Sequence, residues 1–205
     1  IANYAVIDLA NAFFTIPIAE EHLDQCAFTR QGRQYTFTRL PQGWVHSPTI
    51  CHPIVAEHLD EVKLPPHMQI AHDIDDILIQ GSIEEELQQI LELVVDHVKQ
   101  KGWEINPTKI QGPSQVVNFL GIHRHCGHEE ILLKAQQKIL DLVVPQNKKE
   151  AQRFIRLFGF WRQHIPHLGQ ILAPLYKVTR KKYEFEWGND QQSAFELAKE
   201  AIQRA

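Results

Sequence analysis

Apolar and polar positions along the 205-residue chain change period several times, and each change marks an element. "AVIDLA" (5–10) is an apolar run broken by one aspartate, the pattern of a strand buried on both faces. "RQYTFTRL" alternates Tyr35, Phe37 and Arg39 against Gln34, Thr36 and Thr38, the period of a second strand. "SPTICHPIVAEHLDEV" predicts a helix entered at Ser47, whose hydroxyl can cap free amides, with Pro48 in the first turn where no donor is missed. Pro53 falls inside that helix and, at a cost of roughly 3 kcal/mol, predicts a kink or a weak helix. "QIAHDI" and "ILIQ" predict two short strands of a hairpin. Ser82 and Glu85 have capping-box spacing, and Leu87, Ile90, Leu91, Val94, Val95 and Val98 lay an apolar stripe along a helix that stops near Gly102.

"VVNFLGI" predicts a further strand. From Asn147, with Glu150 three residues on, the pattern is helical through Phe154, Ile155, Phe158 and Trp161, and ends at "HIPHLG". A short helix at "ILAPLY", a basic loop "KVTRKKYEF" and a last helix in "NDQQSAFELAKEAIQRA" complete the order. Strands and helices are mixed, with too few β-α alternations for a doubly wound sheet. An α+β domain with an antiparallel sheet, followed by a helical lobe, is the expected architecture.

Composition is that of an ordinary globular chain, 43% hydrophobic. No apolar run reaches 18 residues, so no membrane partner is expected, and Cys26, Cys51 and Cys126 are an odd number at unpatterned spacing, which points to reduced thiols and an intracellular setting, cytoplasmic or nuclear. The opening on an apolar run without Met suggests a fragment of something longer. The net charge of −4 hides an asymmetry: residues 1–130 carry 8 Lys+Arg against 18 Asp+Glu, and 131–205 carry 13 against 7. Two lobes with different partners are implied, cations for the first and a polyanion for the second, although a chance scatter of surface charge gives the same totals.

The hairpin concentrates chemistry. Asp73, Asp75 and Asp76 stand within four positions between apolar strands. Two carboxylates about 4 Å apart repel by roughly 4 kcal/mol at an effective dielectric of 20, so such a cluster protonates, separates or binds a cation. Oxygen donors suit Mg²⁺ (or Mn²⁺). Asp8 ends the strand "AVID" and reaches Asp75 if the two strands are sheet neighbours. Strand-borne carboxylates holding two ions are what in-line nucleotidyl transfer uses; solvated turn residues are the plain alternative for "DIDD" taken alone. "HRHCGH" (His123, His125, Cys126 and His128) has tempting zinc spacing, but all its ligands fall in one turn, where ordinary turn residues are the better reading.

"VIDLANAFF", "LPQGWVHSP", "DIDDILI", "GWEINPTKIQ" and "VNFLG" resemble, in order and spacing, the palm motifs of retroviral reverse transcriptases, and "FGFWRQHIP" resembles their thumb. "INPTKIQGPS" with "LFGFWRQHIPHLG" looks most like the polymerases of endogenous retroviruses of the L type. The resemblance implies a palm with a ferredoxin-like antiparallel sheet and helices on one face over 1–117, a primer grip and small helical thumb over 118–182, and the start of a connection domain over 183–205. It implies RNA-directed DNA polymerase activity through two Mg²⁺ or Mn²⁺ ions held by Asp8, Asp75 and Asp76, on an RNA or DNA template with primer and deoxynucleoside triphosphates.

By the same resemblance, Phe13 is the aromatic gate against a ribose 2′-hydroxyl, and Gln42 and Gly43 hold the incoming nucleotide. Lys109 lies near the leaving pyrophosphate. Phe119, Leu120 and Gly121 grip the primer end, and Lys148, Lys149, Arg153 and Arg156, with Arg162, track the duplex through phosphates. The chain departs from the family at Asp73, where the motif has Tyr. In an extended strand Asp73 would face the same side as Asp75, bringing negative charge towards the primer. A larger polyprotein with fingers and ribonuclease H is expected, and the chain by itself is expected to fold poorly or only as palm plus thumb, and not to extend primers. A nucleotidyl cyclase or two-metal nuclease is another palm-like reading, disfavoured because neither needs the Pro-Gln-Gly turn or the basic helical lobe. A non-catalytic nucleic-acid-binding remnant is the remaining alternative.

Overall fold

The computed structural model describes residues 2–125 and 127–204, and the chain divides into two compact units. The first holds 1–120 with 124–128, and the second 121–123 with 129–205. In the first unit, β1 (Asn3–Ala10) is followed by the short helix α1 (Ala12–Thr15), β2 (Ala27–Arg30), β3 (Arg33–Thr36) and α2 (Ser47–Asp60). Next come β4 (Gln69–Asp73), β5 (Asp76–Gly81), α3 (Glu84–Gln100), β6 (Glu104–Ile105) and β7 (Gln111–Ser114). The order β4-β5-β1-β6 makes an antiparallel sheet, with β7 also paired to β1, while β2 and β3 form a separate ribbon.

β1 is central because almost every position on it is apolar and buried. Its period of two splits the packing. Ala5, Ile7 and Leu9, with Ile77 and Ile79 of β5, join the core that contains Cys51, Val55 and Leu59 of α2 and Leu87, Leu91, Val94 and Val98 of α3. Tyr4, Val6 and Leu78 pack instead with Val117 and Phe119. Helices therefore cover one face, as expected of this α+β design, and the opposite face carries the residues of Asp8's parity.

α2 is one continuous helix across Pro53, whose missing amide leaves one carbonyl of the preceding turn without its helical partner. Ser47 does not cap it. Its hydroxyl is buried and donates to the Pro41 carbonyl at 2.7 Å, which ties the helix start to the preceding turn instead. α3 begins at Glu84 after Ile83, so Ser82 and Glu85 make no capping box; three glutamates in the first turn face the helix's positive end instead.

The expected strand at 116–122 is two strands, β8 (Val116–Phe119) and β9 (Ile122–His125), because Leu120 and Gly121 both adopt left-handed φ (51° and 75°), the conformation of a two-residue hairpin turn. β10 (His128–Ile131) follows, and the division between the units falls within these strands.

The second unit is helical: α4 (Leu133–Leu140), α5 (Lys148–Phe160), α6 (Leu168–Ile171), α7 (Ala173–Thr179) and α8 (Asn189–Gln203). Its core joins Phe154, Phe158 and Trp161 to Leu172, Leu175, Phe195 and Ile202. Asn147 caps α5, accepting the Glu150 amide at 3.0 Å while the Glu150 carboxylate accepts the Asn147 side-chain amide at 2.8 Å. No helix among the described residues is long and apolar enough to cross a membrane.

Candidate active site

β1 and β5 run antiparallel with Asp8 directly opposite Asp76, and β5 pairs with β4 so that Asp76 is directly opposite Asp73. Opposed residues share a face. Asp8, Asp76 and Asp73 thus form a row across three strands, on the face away from α2 and α3. The two-residue turn Ile74–Asp75 places Asp75 at the tip, where its carbonyl accepts the Leu9 amide at 2.8 Å and fastens the tip to β1. The extended-strand expectation for Asp73 and Asp75 fails here because the chain turns between them.

The tip is held in an unusual conformation. Ile74, a β-branched residue, has a left-handed φ of 55°, strain the surroundings must sustain. His52 of α2 contributes to that support, since its Nδ1 accepts the Ile74 amide at 3.3 Å and its ring stacks on His72 of β4 with centroids 4.2 Å apart. Burial, then the neighbouring His52, holds His72 below the usual histidine range. Nothing in the chain's motifs singles out His52; only the approach of α2 to the hairpin reveals it.

Electrostatics follow the row. Asp76 is pushed up to about 6, first by burial and then by Asp75, Asp8 and Asp73. Asp75 is raised for the same leading reason, partly offset by a backbone hydrogen bond. Cys51, buried beneath, is pushed up to about 11 by burial and then by Asp75.

Lys109 answers this charge. A short 3₁₀ turn, Pro107–Lys109, is set by Asn106, whose side-chain oxygen accepts the Thr108 amide at 3.1 Å and hydroxyl at 2.7 Å, while the Asn106 amide donates to the Asp8 carbonyl at 3.4 Å. From it the Lys109 ammonium reaches both oxygens of Asp8, each at 3.1 Å. A cavity of about 320 Å³ opens beside this pair, lined by Asp8, Asp76 and Lys109 together with Asn118, Phe119 and Leu120. Gln111 braces its wall, exchanging two 2.8 Å hydrogen bonds with the Asn118 backbone.

The other expected residues fall as follows. Phe13 is half-buried on α1 against the main core, and Gln42 and Gly43 are exposed in a turn where Gly43 takes a φ of 88°. Phe119 is buried, with the Arg124 guanidinium 5.9 Å from its ring centre. Gly121, in the second unit, packs where an added Cβ would meet Trp161 at 3.1 Å. On α5, Lys149, Arg153 and Arg156 recur at i, i+4 and i+7 on the exposed face opposite Ala151, Phe154, Ile155 and Phe158. Lys148 turns away from that face, its ammonium donating to the Arg180 and Tyr183 carbonyls. Arg162 is exposed past the helix end.

Among the described residues no three His, Cys, Asp or Glu side chains close into a group that could hold a metal ion. Cys126, part of the candidate zinc spacing, lies outside the described residues.

Residues 2–124 match the family model of reverse transcriptase (RNA-dependent DNA polymerase). The Gag-Pol polyprotein of feline leukemia virus is 30% identical over 97% of this chain and 12% of its own length; the Pol polyprotein of feline endogenous virus ECE1 is 30% identical over 97% of the chain and 20% of its own. The chain thus spans a fifth or less of these relatives. A foamy viral protease-reverse transcriptase in complex with an RNA/DNA hybrid superposes with a TM-score of 0.85 at 28% identity, covering 99% of this chain and 27% of that one. A second foamy viral structure, in complex with double-stranded DNA, gives a TM-score of 0.80 at 29% identity over 99% of this chain and 35% of its own. By the family-model match over 2–124 and the overlap of nearly the whole chain with retroviral polyproteins, the chain belongs to the reverse transcriptase family.

Proposed function

We propose that this chain is the palm and thumb of an RNA-directed DNA polymerase, with Asp8, Asp75 and Asp76 as the carboxylates that hold two Mg²⁺ or Mn²⁺ ions. The observation that carries the reading is the register: Asp8 and Asp76 directly opposed on one face, with Asp75 on the adjoining tip. The chemistry of the set suits divalent ions, although among the described residues the three carboxylates do not close into a metal-holding group without rearranging. All donors are hard oxygens, burial and then the neighbouring carboxylates drive Asp76 towards protonation, and a cation, the Lys109 ammonium, already lies against Asp8. Bound divalent ions would lower the barrier by activating the attacking primer hydroxyl and neutralising the leaving pyrophosphate.

The chain's own residues do the rest. Lys109 supplies positive charge on the cavity side where phosphate charge develops. Phe13 closes the sugar side, Gln42 and Gly43 offer an exposed turn to the nucleotide, and Phe119, Leu120 and Gly121 take the primer end. Lys149, Arg153 and Arg156 present one cationic stripe to duplex phosphates, the kind of substrate bound by the foamy viral relatives. Lys148 is left out of the stripe because its ammonium is engaged with the 180–183 loop.

Calorimetric titration with Mn²⁺ tests the metal site. Heat that disappears in Asp8→Asn is the expected result, and heat unchanged by that substitution would remove the basis of the reading. A second reading, nucleic-acid binding without catalysis, is favoured by Asp73, which extends the acidic row towards β4. Primer extension separates the two. Catalysis suppressed by Asp73 alone predicts that Asp73→Tyr restores deoxynucleotide addition and that adding Asp75→Asn abolishes it again.

A further inference from the structure

The acidic row is neutralised in part by Lys109, a residue that the proposed chemistry uses at the phosphates. The Lys109 ammonium lies 3.1 Å from both oxygens of Asp8, a symmetric bidentate contact that covers the oxygens a metal ion would need. The backbone on either side of the contact is fixed. Asn106 caps the turn that carries Lys109, the Lys109 amide donates to the Asn106 carbonyl at 3.1 Å, and the Asn106 amide is bonded to Asp8 itself. The side chain is not fixed in this way, being 58% exposed while Asp8 is only 23% exposed. A rigid root with a mobile, four-carbon stem can change partners without moving the sheet.

We propose that Lys109 is an exchangeable counter-ion: it holds Asp8 in the absence of metal, is displaced when a divalent cation binds Asp8, and is thereby released towards the phosphates in the adjoining cavity. This rests on the proposed metal site and adds to it a competition between two cations for one carboxylate. The exchange keeps the acidic row from standing uncompensated when no metal is bound, and it couples metal uptake to the arrival of positive charge in the cavity. Phe119 and Leu120 also line this cavity, so the freed ammonium has a space of about 320 Å³ beside Asp8 to enter.

Competition makes a prediction opposite in sign to that for a simple helper residue. Removing Lys109 tightens metal binding. For a half-exposed ion pair the gain is about 3- to 5-fold in Kd. Mn²⁺ titrations of the parent chain, Lys109→Gln, Lys109→Arg and Asp8→Asn read this directly, without any activity measurement. Lys63→Gln is the control for bulk charge, since this exposed lysine is not among Asp8's partners. The expected order is Lys109→Gln tighter than parent, with Lys109→Arg and Lys63→Gln close to parent.

A second measurement reads the Lys109 ammonium itself. Nitrogen-15 spectra of lysine ammonium groups should show an exchange-protected signal in the metal-free parent that is absent from Asp8→Asn and is lost from the parent on saturation with Mg²⁺. Asp8-dependent metal binding with equal affinity in parent and Lys109→Gln overturns the exchange while leaving the proposed metal site intact, as does a protected signal that persists in Mg²⁺. Absence of metal binding in every variant overturns both.

Discussion

Asp76 is the residue on which the site's charges converge. Burial and three neighbouring carboxylates push it up to about 6. A carboxyl whose folded pKa lies above its unfolded value binds extra protons when folded, so its effect on stability is neutral below about pH 4 and becomes a growing penalty as pH rises through about 6. Above that the penalty is full and constant. Asp76→Asn removes it: in metal-free buffer at pH 7.5 the variant should melt about 2–4 °C above the parent, on the order of 1 kcal/mol for a group partly open to solvent. The gain should vanish near pH 4. Thermal denaturation followed by circular dichroism across pH 4–8 checks both the sign and the window, and an advantage equal at the two ends would refute the charge explanation.

At the scale of elements, β7 shows how closely strands must approach to build the cavity wall. Gly112, with a φ of 80°, lies so near β1 that an added Cβ would meet the Tyr4 carbonyl at 2.2 Å and the Ser114 amide at 2.9 Å. Both obstacles are backbone and cannot rotate away. Gly112→Ala should therefore cost about 3 kcal/mol or more, measured by urea denaturation, and should disturb Gln111's grip on Asn118; a loss below about 1 kcal/mol would show that β7 can retreat.

Elements with one buried face were legible in the sequence for the reason that periodicity reports burial. α3 buries Leu87, Leu91, Val94 and Val98 and α5 buries Phe154, Ile155 and Phe158, in the spacing their residues announce. The hairpin of β4 and β5 was legible through its apolar strands. β2 was not, because all four of its positions are exposed and no alternation marks it. α4 buries only Ile139, too little for a stripe. Asp8 and Asp76 could be named from motifs, but their direct opposition is a matter of register. The Lys109 contact with Asp8 spans 101 residues of sequence, and His52's support of Ile74 depends on where α2 crosses, so neither had a local signal.

For the whole molecule, the division of charge follows the division of structure. The acidic excess lies in residues that mostly form the first unit and the basic excess in the helical second unit, where Lys149, Arg153 and Arg156 face solvent together. Duplex binding through that stripe should weaken with salt, and replacing the three residues by alanine should flatten the slope of log K against log salt by about 2.7, for roughly three lost phosphate contacts. Fluorescence anisotropy with a labelled hybrid duplex between 50 and 200 mM salt would measure it. A slope that does not change would move the nucleic-acid surface away from α5.

The antiparallel register that sets Asp8 against Asp76 has a consequence for how a preparation of this protein behaves. A slip by a single position would send Asp8 to the helix-packed side and bring Ile7 or Leu9 out in its place. Only the observed alignment sets Asp8 directly opposite Asp76. On the proposed metal site, the metal stoichiometry of a refolded batch would report the fraction of molecules with the right strand alignment, and a value below that of the never-unfolded protein is the expected mark of misaligned chains.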